Sequence, residues 1–313
     1  RSFHVTGVQT CALPIYKPHL TARARARAPR IVVSLAHRFP SPSARARLSR
    51  ILRAMERALP RATHLEQYIR AQQPDVVMIT PLVELGSPQM EHLVAAKAVG
   101  VRTILPIASW DHLSSKALVR NLPDALLVWN PVQQREAVEM HGVPASLVTV
   151  TGAQCFDRWF DRQPTRDRAS FAARVGLPDT RPFVLWVCSA LFPGSPSEAA
   201  FVLEWVARVR ASSDPVLRDA AILIRPHPSR AAEWEGVDWA SLPHVAFWGG
   251  NPIDEASRAD YFDSLYHSTA VVGLNTSAFI EAGIAERPVL AILPEPFRPN
   301  QEGTLDRKST RLN

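Results

Sequence analysis

Val271-Val-Gly-Leu-Asn-Thr-Ser-Ala-Phe-Ile-Glu-Ala-Gly-Ile-Ala-Glu-Arg-Pro-Val-Leu-Ala-Ile-Leu293 decides the fold. The stretch reads as strand, short polar loop, helix and second strand. Val271 and Val272 form an apolar strand, Gly273 allows a sharp turn, and Asn275, Thr276 and Ser277 set cap-type side chains ahead of a helix over 279–286. A helix opened this way gathers free backbone N–H groups and the positive end of its dipole beyond the strand, a place suited to phosphate oxygens. An ordinary capped helix in a parallel sheet has the same appearance, and the loop alone leaves both readings open.

Working outward, strand and helix alternate along the chain. The expected strands are 75–80, 102–108, 125–129, 147–151, 183–188, 221–224 and 245–248. The expected helices are 44–59, 87–99 closed by Gly100, 131–140 ended by Gly142, 197–210 and 260–267. This spacing means βαβ units and parallel sheets. Between 160 and 182 the pattern weakens into a polar, Arg/Asp-rich stretch with one short helix at 170–175, read as the link between two domains. Pro226 and Pro228 stop the apolar run 221–224 abruptly and deliver Arg225 and His227 to the carboxyl edge of a sheet. A guanidinium and an imidazole there can meet phosphate, while His227 can equally tie down its own loop.

Around these motifs, over about 74–303, the chain resembles the C-terminal half of GT-B glycosyltransferases and their relatives, the nucleotide-sugar 2-epimerases and CDP-glycerol glycerophosphotransferases. The resemblance rests on Asn275-Thr276-Ser277, then Glu281, then Arg287-Pro288-Val289-Leu290, and on Ile222-Leu-Ile-Arg-Pro-His-Pro228. It implies two Rossmann-like doubly wound domains, α/β throughout, with both ends incomplete. The expected boundaries are a non-native tip at 1–16, an acceptor-side domain at 17–165, a nucleotide-donor domain at 166–305 and a second tip at 306–313. Val8-Gln-Thr-Cys-Ala-Leu-Pro-Ile15 and Asp306-Arg-Lys-Ser-Thr-Arg-Leu-Asn313 can be encoded by opposite strands of one DNA segment, which resembles a sequencing-library adaptor, so both tips are expected to be foreign.

Composition excludes little but bounds the class. The 313 residues favour two domains, and no run of about 18 apolar residues can span a bilayer. The formal charge of +7 falls to +4 without Arg1 and the 306–313 tail, too mild to argue for nucleic acid. Arg23, Arg25, Arg27 and Arg30, alternating with Ala, form one dense basic run, read as solvated ahead of a membrane or RNA contact. Cys155 and Cys188 lack metal or redox spacing, and fit buried thiols in a reducing cytoplasm. No HExxH motif or His/Cys set suggests a metal.

The other side of the expected cleft is the loop Ser109-Trp-Asp-His-Leu-Ser-Ser-Lys116. Trp110 can stack on a sugar, Asp111 can take the proton of an attacking hydroxyl and Lys116 can offset phosphate charge; a capping Asp111 beside a packed Trp110 is the alternative. Ser189, after the strand at 183–188, sits in a loop that either contacts donor phosphate or makes a rigid turn. Trp248 either stacks on a nucleobase or belongs to a core strand. The resemblance then implies a metal-independent transferase without cofactor, moving a glycosyl or polyol-phosphate group from a nucleotide-diphosphate donor to a hydroxyl of a polysaccharide or lipid-linked glycan, as in surface polysaccharide synthesis. Asp111 and His227 are the catalytic candidates. Arg225, Asn275, Thr276, Ser277, Glu281, Ser189 and Trp248 are expected at the donor, and Trp110, Lys116 and Gln301 at the acceptor. The expected location is cytoplasmic, peripheral at the inner membrane face, with no nucleic-acid partner. A 2-epimerase and a non-catalytic two-lobed sugar-binding protein are the rival readings.

Overall fold

The computed structural model describes residues 41–82, 87–116, 119–191 and 194–298, with Ile31, Ser34 and Arg38. The segments 1–16 and 306–313, expected to be non-native tips, and Gln301 lie outside them. The chain divides into two compact units between Gln154 and Cys155.

The first unit runs α1 (Pro42–Ala58), α2 (Thr63–Gln72), β1 (Val76–Met78), α3 (Gln89–Val99), β2 (Arg102–Pro106), β3 (Ala125–Val128), α4 (Pro131–His141) and β4 (Val148–Val150). Its four strands are parallel and lie in chain order. Helix α3 buries Met90, Leu93, Ala95 and Ala96 and ends where Gly100, at φ +85°, takes the left-handed conformation that lets its N–H reach back to the last carbonyls. Asp124 staples the strand starts by accepting from the Thr103 N–H at 2.8 Å and its hydroxyl at 2.7 Å. Those bonds hold its carboxyl below the usual range.

The second unit runs α5 (Asp157–Phe160), α6 (Arg168–Val175), β5 (Phe183–Val187), α7 (Glu198–Arg210), α8 (Pro215–Asp219), β6 (Ala221–Arg225), β7 (Val245–Phe247), α9 (Glu255–Tyr266), β8 (Ala270–Gly273), α10 (Ala278–Ile284) and β9 (Val289–Ala291). Five parallel strands pair in the order β7-β6-β5-β8-β9. The chain therefore winds one way from β5 and then returns to wind the other, the doubly wound arrangement, with its switch point between β5 and β8. Every residue of β6 is buried, as a strand covered on both faces requires.

The expected link at 160–182 belongs to this unit. Helix α6 sends Phe171, Ala172 and Val175 into the core with Phe183 and Leu265. The charges that made the stretch look solvated are partnered within the unit: Arg166 and Arg174 reach Asp260 at 2.9 and 2.8 Å, and the Thr165 N–H and hydroxyl donate to the fully buried Asp263 at 2.8 and 2.7 Å. Helix α9 also begins earlier than the expected 260, because Asp254 and Ser257 form a reciprocal capping box.

At the switch point Gly273 is required by close approach. A Cβ there would stand 2.6 Å from the Val187 carbonyl oxygen, whereas one on Gly250 would meet nothing within 4 Å. Gly273→Ala should therefore cost about 1–3 kcal/mol while Gly250→Ala leaves stability near wild type, a contrast read from urea unfolding midpoints.

Candidate functional site

Two strand ends meet at the switch point of the second unit. After β5 the chain gives Ser189, fully buried, and after β8 it gives Asn275. The Asn275 N–H donates to the Ser189 hydroxyl at 3.0 Å, so these two expected donor residues are joined directly. Ser189 is held in turn by its own N–H, which donates to Glu198 at 2.8 Å. Glu198, at the first position of α7, is 2 % exposed and also faces the Trp186 indole N–H at 3.3 Å. Burial pushes its carboxyl up to about 7, against the pull of these two donors. Glu233 satisfies the start of α7, accepting from the Glu198 N–H at 2.9 Å.

Of the three cap-type side chains expected at Asn275, Thr276 and Ser277, Ser277 makes no cap bond. Ser277 has helical backbone angles and is exposed, and the hydroxyl of the half-buried Thr276 accepts from the Ala278 N–H at 3.3 Å instead. Helix α10 has only seven residues, so its dipole contributes less than a long helix would.

The stronger electrostatic feature lies beside it. Arg225, at the end of β6 and 4 % exposed, stacks over the Tyr261 ring with its guanidinium carbon 4.8 Å from the centroid, and donates to the Gly250 carbonyl at 3.1 Å. Tyr261 donates its hydroxyl to Glu281. Burial raises the Glu281 carboxyl, opposed by the Tyr261 hydroxyl and the Arg225 charge. Burial also lowers Arg225 and moves the Tyr261 hydroxyl far above its ordinary value. The close approach is allowed because residue 249 is glycine, at φ +109°; a Cβ there would stand 2.4 Å from the Arg225 Nη1.

Two cavities flank this Arg225–Tyr261–Glu281 chain. One, about 240 Å³, is lined by Arg225, Trp248, Gly249, Gly250, Ser257 and Asp260. Arg225 Nη1 and Trp248 Nε1 are both buried without a hydrogen-bond partner. The other, about 680 Å³, has Glu281 and Tyr261 in its wall with Trp159, Arg158, Arg162 and Arg258. Trp248 follows β7 directly, is half-buried and carries Arg174 over its ring at 5.2 Å.

His227 is turned to local work. Its Nδ1 lies 2.8 Å from the Ser229 hydroxyl and accepts from the Ser229 N–H at 3.3 Å, capping the turn Pro228–Trp234. Burial and Arg230 lower its pKa.

In the first unit, Asp111 is half-buried and accepts from the Ser109 hydroxyl at 2.6 Å. Its neighbour Trp110 is 8 % exposed, a packed ring and not the open face a sugar needs. The fully buried Gln133 holds this loop, donating to the Ser109 and Trp110 carbonyls at 3.1 and 3.3 Å and accepting from the Trp129 N–H at 2.8 Å. His141 clamps the following turn, its Nε2 2.6 Å from the Leu113 carbonyl and its Nδ1 accepting from the Val119 N–H at 3.0 Å. The Lys116 side chain lies outside the described residues. Among the described residues, no group of three or more His, Cys, Asp or Glu is placed to hold a metal ion.

No family model and no curated protein matches the chain. Solved structures do. A UDP co-structure of S. aureus MnaA superposes with a TM-score of 0.51 at 17 % identity over 76 % of this chain and 62 % of that one. The UDP-GlcNAc 2-epimerase from Neisseria meningitidis bound to UDP-GlcNAc gives 0.50 at 12 % identity over 80 % and 70 %. A putative UDP-N-acetylglucosamine 2-epimerase from Listeria monocytogenes gives 0.50 at 13 % identity over 80 % and 68 %. The chain has the GT-B fold.

Tyr261, Gln133 and Glu198 carry much of the polar architecture of these units, and none was a candidate in the sequence. Only Glu198 had a local signal, an acid in the first turn of a helix at a core position.

The Glu198 carboxyl gives the clearest pH signature. Ordinarily 4.5, it is about 7 in the folded chain, which thus holds a proton that the unfolded chain releases between those values. Its contribution to stability is full below the lower value and is lost as pH rises through the upper one. Relative to Glu198→Gln, the wild type should lose about 3 kcal/mol of unfolding free energy across that window, measured by urea unfolding at a series of pH values.

Proposed function

We propose that the chain acts on a nucleotide-activated sugar or polyol phosphate and transfers the activated group to a hydroxyl acceptor. The observation that carries the reading is the cavity wall where Glu281, held by Tyr261 and backed by Arg225, meets a space of about 680 Å³, a size suited to a small ligand. A carboxylate at that point suits the paired hydroxyls of a ribose. Arg225 Nη1 and Trp248 Nε1 are buried donors beside the smaller cavity, and both gain from a ligand rich in acceptors, such as a base carbonyl or a diphosphate. Ser189 and Asn275 sit at the switch point, where doubly wound sheets take their ligands. Asp111 is the proposed base for the acceptor hydroxyl, with Ser109 fixing its carboxylate.

The MnaA structure named above holds UDP and the Neisseria epimerase holds UDP-GlcNAc, and their shared fold favours 2-epimerisation as a second reading. Consumption of donor with no acceptor present separates the two.

Titration calorimetry of the chain with UDP and CDP tests the donor site. One of them should bind, and Glu281→Ala should weaken it about tenfold or more; silence with both, or an unchanged affinity in the variant, rules the site out. Asp111→Asn should leave that binding intact and lower turnover by about 100-fold or more.

A further inference from the structure

Helix α1 wears its amphipathic character outward. Leu48, Ile51, Leu52 and Met55, continued by Leu59 at its C-cap, recur at the three- and four-residue spacing that gathers side chains on one face. A helix packed on a sheet covers such a face. Here Ile51, Leu52, Met55 and Leu59 are 52, 42, 62 and 65 % exposed. The helix is instead tied to its unit along a polar edge, where Glu56 pairs with Arg120 at 2.5 Å. Helical geometry places Arg47 beside the apolar stripe and Arg50 and Arg53 on the far face, all three exposed.

The charge around this helix is lopsided. Residues 17–62 hold twelve of the 36 Lys and Arg but only one, Glu56, of the 29 Asp and Glu, so the rest of the chain carries more acids than bases. Such an imbalance selects a polyanionic partner. A nucleic acid would match the charge but leave the apolar stripe in water. A second copy would bury the stripe but set like charges against each other. A negatively charged lipid surface answers both features at once.

We propose that α1 is a membrane-surface helix for anionic bilayers. Its leucine, isoleucine and methionine side chains enter the boundary between headgroups and acyl chains, while Arg47, lying at the border of the stripe, extends its stem upward to the lipid phosphates. No helix among the described residues is long and apolar enough to cross a membrane, and α1 itself, with five arginines in its 17 residues, lies in the interface and does not span it. This surface belongs to the first unit and needs no nucleotide in the second.

Co-sedimentation of the full chain with vesicles tests it. Vesicles of phosphatidylcholine containing about one third phosphatidylglycerol should bind the chain at least about tenfold better than phosphatidylcholine alone, with binding weakened by salt. Ile51→Glu with Met55→Glu should abolish the binding. Arg47→Glu with Arg50→Glu, which spares the stripe, should remove most of it. Both variants should keep the wild-type circular dichroism and melting temperature, because all four positions are exposed. The proposal is overturned by equal or absent binding to the two vesicle types, by stripe variants that fold and bind like wild type, by dimerisation that the stripe variant dissolves, or by capture of an RNA oligonucleotide in preference to anionic vesicles.

Discussion

The second unit depends on how closely the ends of β5 and β8 can approach. These strands run side by side but are separated in the chain by the whole excursion through β6, β7 and α9. Their contact is made without side chains where Gly273 lies against the Val187 carbonyl. One residue beyond Leu274, Asn275 donates its N–H to Ser189. The hydroxyl satisfies a backbone donor that the sheet can no longer pair, and Ser189 is itself anchored through Glu198 to the start of α7. Local backbone geometry thus fixes the place where the two halves of the winding diverge. A wider β5–β8 gap would separate the polar ends that close it.

A second constraint is charge burial. Asp260 and Asp263 lie on the inner side of α9 and would be costly if unpaired. Arg166 and Arg174, supplied from the segment that precedes β5, reach them, and Thr165 adds two hydrogen bonds to Asp263. The same helix offers Tyr261 one position after Asp260, and this ring receives Arg225 on its face and passes its hydroxyl to Glu281. A single helix therefore locks the entry segment onto the unit and organises the wall of the cavity of about 680 Å³. Those contacts on both sides of α9 account for its mixed, weakly patterned sequence.

Legibility in the sequence followed the range of the interactions. Fully buried parallel strands read as apolar runs, and 221–224 and 183–188 were placed within a residue of β6 and β5. Gly100 and Gly142 marked helix ends because a left-handed residue is a local requirement. The segment 160–182 was misread because the partners of Arg166 and Arg174 lie more than 80 residues away in α9. For Trp110 the sequence leaves a packed ring and a sugar-stacking face both open, since an indole suits either equally well, and the structure packs it. Tyr261 gave no signal, because its contacts with Arg225 and Glu281 exist only once β6, α9 and α10 converge. For His227 the structure takes the second of the two readings left open, with its neighbour Ser229 supplying the local partner that ties down the loop.

The Arg225 guanidinium brings the constraints together. Burial disfavours its charge, and the protein answers with Tyr261, Asp260 and Glu281 nearby, of which Tyr261 gives a ring face and not a charge while Glu281 is itself pushed toward protonation. The compensation is incomplete, because Nη1 keeps an unmet donor and sits against Gly249, the one residue type that leaves it room. A buried cation held this way is poorly matched to its surroundings until an acceptor arrives. An anionic or acceptor-rich ligand would supply what the fold withholds, and the binding free energy would include relief of that mismatch. The same side chain would gain little from a neutral, apolar ligand of equal size.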